Sequence, residues 1–441
     1  MNISPVGEGR RSWRGPALVF ALALGLRVWF VLAATVENAL RRADAMDYLQ
    51  YAFNLVLFHT FSKSHVADGP IVPDSFRDPG YPFFLACMLR LLGFTETWYL
   101  AVLLLQALLG ALTAALSMLI ARYWLPPRLS LLAGLLVALW PHNVVFSAYV
   151  LSETLSGFVL TLAVWLTCRA LAGGARLRWA AAGAGFGLAS LVNAAMTPAG
   201  PLLALLFWRR QATAPRLALI LCLCSLVPPG VWAMRAWTIA SERAPQGRAL
   251  MNLVQGSWPE YHQAYAEARG QDPAAQDTMR AIGREQDLML HSPQAGLASM
   301  WDRFGSDPAR YLAWYAWKPM LLWGWSIRMG WGDIYAYPVS QSIYLSNPVM
   351  RAGEALCFAL NPLLFLLMLA AMLAAVFRPA FAAGGPALLA VVTLAALETL
   401  VYSLLQSEPR YSIPLRPLEM VLAATALHGM LKLRATAAAR V

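Results

Sequence analysis

With 441 residues, 59% of them hydrophobic and 13% charged, and a mean hydropathy of +0.54, the chain has too few charges to cover a water-soluble globule of its size. A soluble enzyme, an intrinsically disordered chain and a disulfide scaffold are excluded. The net charge of +11 would suit a nucleic-acid partner, but the basic residues sort by membrane topology, so no nucleic acid is expected.

Residues 1–36 read as a cytoplasmic N-terminus and a first transmembrane helix. Arg10, Arg11 and Arg14 precede an apolar run from Ala17 to Val36, close to the ~20 residues a bilayer crossing needs, which is expected to be a signal anchor. Arg27, midway along it, should face the helix bundle.

Residues 37–97 form a first polar region, too long for a turn. On a helix from Asp44 to Phe58, Asp44, Asp47, Tyr48, Tyr51 and Asn54 share one face. Ala45, Leu49, Ala52, Phe53 and Val56 share the other, the pattern of a helix lying on the membrane surface. Asp44 and Asp47 stand three positions apart, where each charge should raise the other's pKa and suit the pair to accepting a proton. An Asp in a first turn also offsets the helix dipole. Pro79, Gly80 and Pro82 shape the start of the next helix, with Tyr81 at the interface.

Residues 98–237 hold transmembrane helices two to seven, expected at Trp98 to Ala121, Leu129 to Pro141, Leu151 to Leu171, Trp179 to Val192, Pro198 to Trp208 and Leu217 to Trp237. Glu153 follows Ser152 at a helix start, where capping and dipole compensation compete with a part in a pocket.

Residues 238–350 form a second polar region. Asp272-Pro273, Ser292-Pro293 and Asp307-Pro308 each place a capping side chain before a proline suited to a first helical position, so three short helices are expected. In the first, Met279, Ile282 and Met289 make an apolar stripe while Arg280, Arg284, Glu285 and Asp287 stay polar. In and after the last, Tyr311, Trp314, Tyr315, Trp317, Trp323, Trp325 and Trp331 form an aromatic cluster expected at headgroup level, with Lys318 near phosphates.

Residues 351–441 hold the last spans, Arg351 to Phe377, Pro386 to Leu405 and Ile413 to Leu431, for about ten crossings with both termini cytoplasmic. Arg122, Arg128, Arg169, Arg176, Arg178, Arg209, Arg210, Arg216, Arg378, Lys432, Arg434 and Arg440 then fall inside, and the short outside turns carry no Lys or Arg. Both polar regions lie outside, where nucleotide sugars are not available, so group transfer there needs a donor delivered by the membrane. Cys87, Cys168, Cys222, Cys224 and Cys357 and the six histidines show no metal or redox spacing, so no metal or cofactor is expected, although a divalent ion is not excluded.

Several short motifs recur in a recognisable order: ADAMDYLQYAFNL from Ala43, RDPGYPFFLA from Arg77, LSETL from Leu151, GLASL from Gly187 and EPRYSIPLRP from Glu408. The order resembles the polyprenyl-phosphate-sugar-dependent glycosyltransferases of the GT-C fold. More narrowly, it is similar to the bacterial branch related to protein O-mannosyltransferases and the aminoarabinose transferase of lipid A. The resemblance implies an all-α polytopic GT-C bundle with interfacial helices in two outside loops. It implies that Asp44, four positions before Tyr48, is the general base, with Asp47 tuning or sharing the proton. Arg77 would grip the donor phosphate, helped by Arg410 of the Arg410-Tyr411 pair or by Lys318, while Tyr48, Tyr81, Glu153 and Tyr411 line the donor and acceptor pocket. Asp78 stands where the family has a proline, Ala45 where several branches have a second acid, and Asn193 to Pro198 lacks the family's Arg-Pro, so no particular branch's sugar is carried over.

The expected reaction moves a sugar from a polyprenyl-phosphate-linked donor, a co-substrate, to a hydroxyl of an envelope glycolipid, polysaccharide or protein, with inversion, at the outer face of a bacterial inner membrane. The rival is a transporter or flippase of lipid-linked sugars, or a non-catalytic relative that only binds the carrier. Transport would require ionisable residues midway along several helices, whereas here only Arg27 and Glu398 stand out.

Overall fold

The computed structural model describes residues 13–239, 245–377 and 385–438. The flanking residues Arg10, Arg11, Arg378 and Arg440 lie outside them.

Helix α1 (Arg14–Ala33) buries Val19, Ala23, Leu26, Arg27 and Phe30, the single face that a 3.6-residue period allows. It packs on α4, described below, at Gly110, where an added Cβ would lie 2.6 Å from Arg27 Nε. Only glycine lets the guanidinium pass. As expected, Arg27 faces the bundle, where its N–H groups donate to the carbonyls of Ala23, Ala138 and Val137 at 3.1, 3.0 and 3.3 Å.

A two-residue strand, β1 (Thr35–Val36), follows, then α2 (Ala43–Phe58) and α3 (Gly80–Leu92). The bundle continues with α4 (Glu96–Ala121), α5 (Pro127–Leu139), α6 (Pro141–Val145), α7 (Glu153–Leu171), α8 (Arg176–Val192), α9 (Ala199–Arg209) and α10 (Pro215–Trp237). Between α5 and α6 the axis bends by 56°. Pro141 forces Trp140 out of helical geometry, and the expected span to Pro141 stops at Leu139.

The second polar region folds into α11 (Pro245–Ser257), α12 (Tyr261–Arg269), α13 (Pro273–His291), α14 (Pro293–Ser306) and α15 (Pro308–Leu322). The three expected caps are present: Asp272, Ser292 and Asp307 accept from the N–H groups of Ala275, Ala295 and Arg310 at 2.8, 3.4 and 3.1 Å. Helices α11 and α12 lack such a signal and were not expected. Together α11 to α14 enclose a small core of Val254, Tyr261, Ile282, Met289 and Met300. Glu285, on the polar side of α13, is buried, and accepts from Trp258 Nε1 at 2.5 Å and Arg303 at 2.9 Å.

Strand β2 (Val339–Ser340) pairs antiparallel with β1, tying the two polar regions together. Then come α16 (Ile343–Ser346), α17 (Pro348–Phe377), α18 (Gly385–Leu404), α19 (Pro409–Ser412) and α20 (Arg416–Ala438). Each of the ten expected spans is helical over most of its length, although the first ends at Ala33, with Thr35 and Val36 in β1. Among the described residues six helices (α1, α4, α7, α10, α17 and α18) are long and apolar enough to cross a membrane, and a seventh if α5 and α6 count as one. The aromatic cluster divides: Tyr311, Trp323 and Trp325 are buried in the protein, while Trp317 and Trp331 are exposed. Two further buried charges, Arg416 and Glu419 on α20, pair at 2.8 Å, and Arg416 also binds Asn361 and the Gly324 carbonyl.

Candidate active site

Helix α2 does not rest its polar face in solvent. Asp47, Tyr48, Tyr51 and Asn54 are buried against the rest of the protein, and the exposed residues are Ala43, Met46, Leu57 and Phe58. The expected apolar face is enclosed as well, with Ala45, Leu49 and Ala52 in the core and Phe53 and Val56 packed against it, so the expected lie of that face on a membrane surface is corrected.

The polar side faces a cavity of about 700 Å³, lined from β1–α2, the 76–78 segment, the start of α7, the end of α8, α11, α12, residues 327–338 and 402–414. Every one of these segments lies at the bundle end expected outside. Near the far end of α7, ~28 Å away by helix rise, Trp13, Arg122, Tyr123, Trp165 and Arg169 line a separate cavity of about 240 Å³.

Asp44 lines the large cavity and is clamped by two guanidinium groups, from Arg77 at 2.6 Å and Arg410 at 2.8 Å. Burial alone would push this carboxyl up, but Arg77 and Arg410 outweigh it and hold the group well below the usual carboxylate range. The expected raising of the Asp44 pKa is therefore corrected, because the arginines dominate. Asp44 should stay ionised at every pH at which the protein is assayed. The profile of kcat/KM, which reports the free protein, should show no acid limb from about pH 4 upward, and a limb near pH 5 would remove Asp44 from the role of base.

Arg77 lines the same wall, its guanidinium 5.3 Å from the Tyr48 ring centroid. It bonds Asp47 through two nitrogens, at 2.6 and 3.2 Å. Asp47 is not on the cavity wall; it braces Arg77 from behind and also pairs with Lys63 at 2.8 Å. Asp47, expected to be catalytic, is thus placed off the cavity, with Arg77 between it and the wall.

Arg410 pairs with Asp44 and with Glu153, the first residue of α7. Ser152 makes no cap bond; its hydroxyl lies 3.2 Å from the Tyr48 hydroxyl. Glu153 is thus an arginine anchor on the cavity wall. Tyr411 also lines the wall, stacked on Tyr402 at 5.2 Å, its hydroxyl donating to Gln406 at 3.1 Å.

Two expected residues lie elsewhere. Tyr81 is fully buried off the cavity, donates to Gln106 at 2.8 Å and packs edge-on against Tyr48 at 5.0 Å. Lys318 is also buried off the cavity, where its ammonium donates to the carbonyls of Gly256 at 2.9 Å and Leu405 at 2.5 Å. It cannot reach a phosphate in the cavity; it fastens α11 to the turn that precedes Arg410. Gly256 makes that contact possible, since any Cβ there would strike the Leu405 carbonyl. Lys318→Met should strand both carbonyls and cost about 1–3 kcal/mol for each. The loss should appear as a clear drop in thermal unfolding midpoint in detergent, and an unchanged midpoint would contradict the clamp.

Sequence reasoning missed several wall residues. Arg248 on α11 pairs with Asp78 at 2.5 Å, and Asp78 also accepts from the Ala194 N–H at 3.3 Å. Glu408 accepts from the N–H groups of Arg328 at 2.7 Å and Met329 at 3.2 Å, with His262 Nε2 3.2 Å from its other oxygen. The acidic residue opening EPRY was the available signal. Among the described residues no group of three or more His, Cys, Asp or Glu is arranged to hold a metal ion.

Residues 72–232 match the family model described as dolichyl-phosphate-mannose-protein mannosyltransferase, a stretch that includes Arg77 and Glu153 but not Asp44 or Arg410. No curated protein matches the chain. Among solved structures, the apo oligosaccharyltransferase of Archaeoglobus fulgidus is similar at a TM-score of 0.51 and 13% identity, over 96% of this chain and 51% of that one. ArnT from Cupriavidus metallidurans bound to undecaprenyl phosphate is similar at 0.48 and 16%, over 95% of this chain and 60% of that one. The chain thus spans between half and two thirds of these proteins' lengths. Its fold is that of the polytopic GT-C membrane proteins, as the motif order implies.

Proposed function

We propose that the chain is a glycosyltransferase that moves a sugar from a polyprenyl-phosphate-linked donor to an acceptor hydroxyl at the outer face of a bacterial inner membrane. The observation that carries this reading is the convergence of Asp44, Arg77 and Arg410 on one cavity at the end of the bundle where the polar regions gather.

In the resting state Asp44 answers both arginines. A donor phosphate brings its own charge to the same two guanidinium groups, whose planar forks suit its oxygens. As they turn to the phosphate, a carboxylate oxygen of Asp44 is released toward the acceptor and its proton affinity rises. The acceptor oxygen then attacks the anomeric carbon, the carbon–oxygen bond to phosphate breaks, polyprenyl phosphate leaves with the electron pair, and Asp44 takes the hydroxyl proton. Arg77 and Arg410 stabilise the charge growing on the leaving phosphate, an interaction stronger in the transition state than before it. One displacement inverts the anomeric centre.

Sealed vesicles of known orientation test this. Donor and acceptor supplied on the face bearing α2 should yield product of the opposite anomeric configuration. Retention of configuration, or product formed only from the other face, contradicts the reading.

A further inference from the structure

Helix α11 presents Arg248, Asn252 and Gln255 to the cavity, residues spaced four and three positions apart and therefore on one face. Its other side is committed: Val254 enters the small core, and Gly256 is pressed against the 405–406 turn. The helix is held in place at both ends of this stripe. Arg248 is bonded to Asp78, the residue after Arg77, and the Gly256 carbonyl is bonded by Lys318.

Within that rigid frame the carboxamides of Asn252 and Gln255 have no hydrogen-bond partner among the described residues, although neighbouring wall residues Tyr48, Asp78, Glu153, Gln406, Glu408 and Arg410 all have one. The stripe begins beside the phosphate-gripping loop. Asn252 and Gln255 follow ~6 and ~10 Å further along the helix axis. A sugar esterified to a phosphate on Arg77 must lie within one bond of that phosphate, which brings its ring alongside this face.

We infer that the α11 face is a glycosyl subsite, in which Asn252 and Gln255 hydrogen-bond the hydroxyls of the sugar on the lipid donor. A carboxamide offers both donor and acceptor, the match for a hydroxyl that does the same. Among the described residues, the carboxylates on this cavity are Asp44, Asp78, Glu153 and Glu408, and each is already engaged by an arginine, a histidine or backbone N–H groups.

The inference rests on the proposed transfer reaction, and its test is separable from it. The full chain in lipid nanodiscs is assayed with a polyprenyl-phosphate-linked hexose, and binding of the same lipid phosphate without sugar is measured in parallel. Asn252→Leu and Gln255→Leu should each lower kcat/KM for the hexose donor at least tenfold while changing affinity for sugar-free polyprenyl phosphate less than twofold. Asn252→Asp, which keeps the side-chain shape, guards against misfolding and should lose hexose transfer to a similar degree. Unchanged transfer, an equal loss of sugar-free binding, or an effect confined to the acceptor KM would each overturn the subsite. If the unaltered protein transfers no sugar, the reaction fails but the subsite is still decided. A preference for glycosylated over sugar-free lipid that the double variant abolishes upholds it, and no such preference overturns it.

Discussion

Asp44→Asn should lower sugar transfer by ~10²- to 10⁴-fold, the range that a positioned proton acceptor typically contributes. The same substitution should leave affinity for polyprenyl phosphate unchanged or improved. Asp44 lies 2.6 Å from Arg77 and 2.8 Å from Arg410 on the cavity wall, so it competes with the donor phosphate for those groups. Removing its charge removes the competitor. A merely structural ion pair predicts the opposite pattern, with binding and transfer falling together as the arginines lose their anchor. Transfer by purified protein in vesicles, with lipid-phosphate binding measured alongside, separates the two. Unchanged transfer would rule out Asp44 as the base.

Arg77→Gln should lower transfer by ~10²- to 10³-fold, the loss seen when one preorganised donor to a developing negative charge is removed. Here the effect should appear in donor binding as well as turnover. The fold should survive, because Asp47 keeps Lys63 at 2.8 Å and Asp44 keeps Arg410 at 2.8 Å. Arg77→Lys should recover only part of the activity. A single ammonium cannot span Asp47 and a phosphate at once, as the three nitrogens of a guanidinium can. Equal activity for Lys and Arg at this position would show that charge alone matters and that the fork does not.

What the sequence disclosed follows what local signals can carry. The cap-and-proline pairs at Asp272, Ser292 and Asp307 fix helix starts with chemistry confined to four residues, and all three helices begin where those pairs place them. The period of α2 put Asp44 and Asp47 on one face, and motif order placed Arg77 and Arg410 in outside segments that share the cavity. The roles that depended on partners distant in sequence were not legible. Asp47 and Asp44 look equivalent on a helical wheel, yet one lines the cavity while the other lies behind Arg77, a difference set by how α2 rolls against the bundle. Lys318 among tryptophans suggested a lipid headgroup, but its acceptors are carbonyls 62 and 87 residues away. Helix α11 has no cap-and-proline pair in the sequence, since Ala244 precedes Pro245, and its wall residues acquire meaning only through Asp78 and the 405–406 turn.

The buried charges of the bundle bear on the rival transport reading in the same way. Arg27 and Arg416 lie deep in the protein, but each is fastened to backbone carbonyls, and Arg416 to Glu419 and Asn361 as well. Such ties fix helices against one another. Among the described residues they form no line of exchangeable sites from one side to the other, and Glu398 on α18 stands apart from them, buried with no hydrogen-bond partner.

An experimental structure of the full chain with bound polyprenyl phosphate is the most direct check on the shared cavity. The phosphate should lie within hydrogen-bond distance of both Arg77 and Arg410, with at least one oxygen of Asp44 released from them and open to the cavity. A phosphate bound away from these arginines, with Asp44 still clamped between them, would contradict the mechanism at its root.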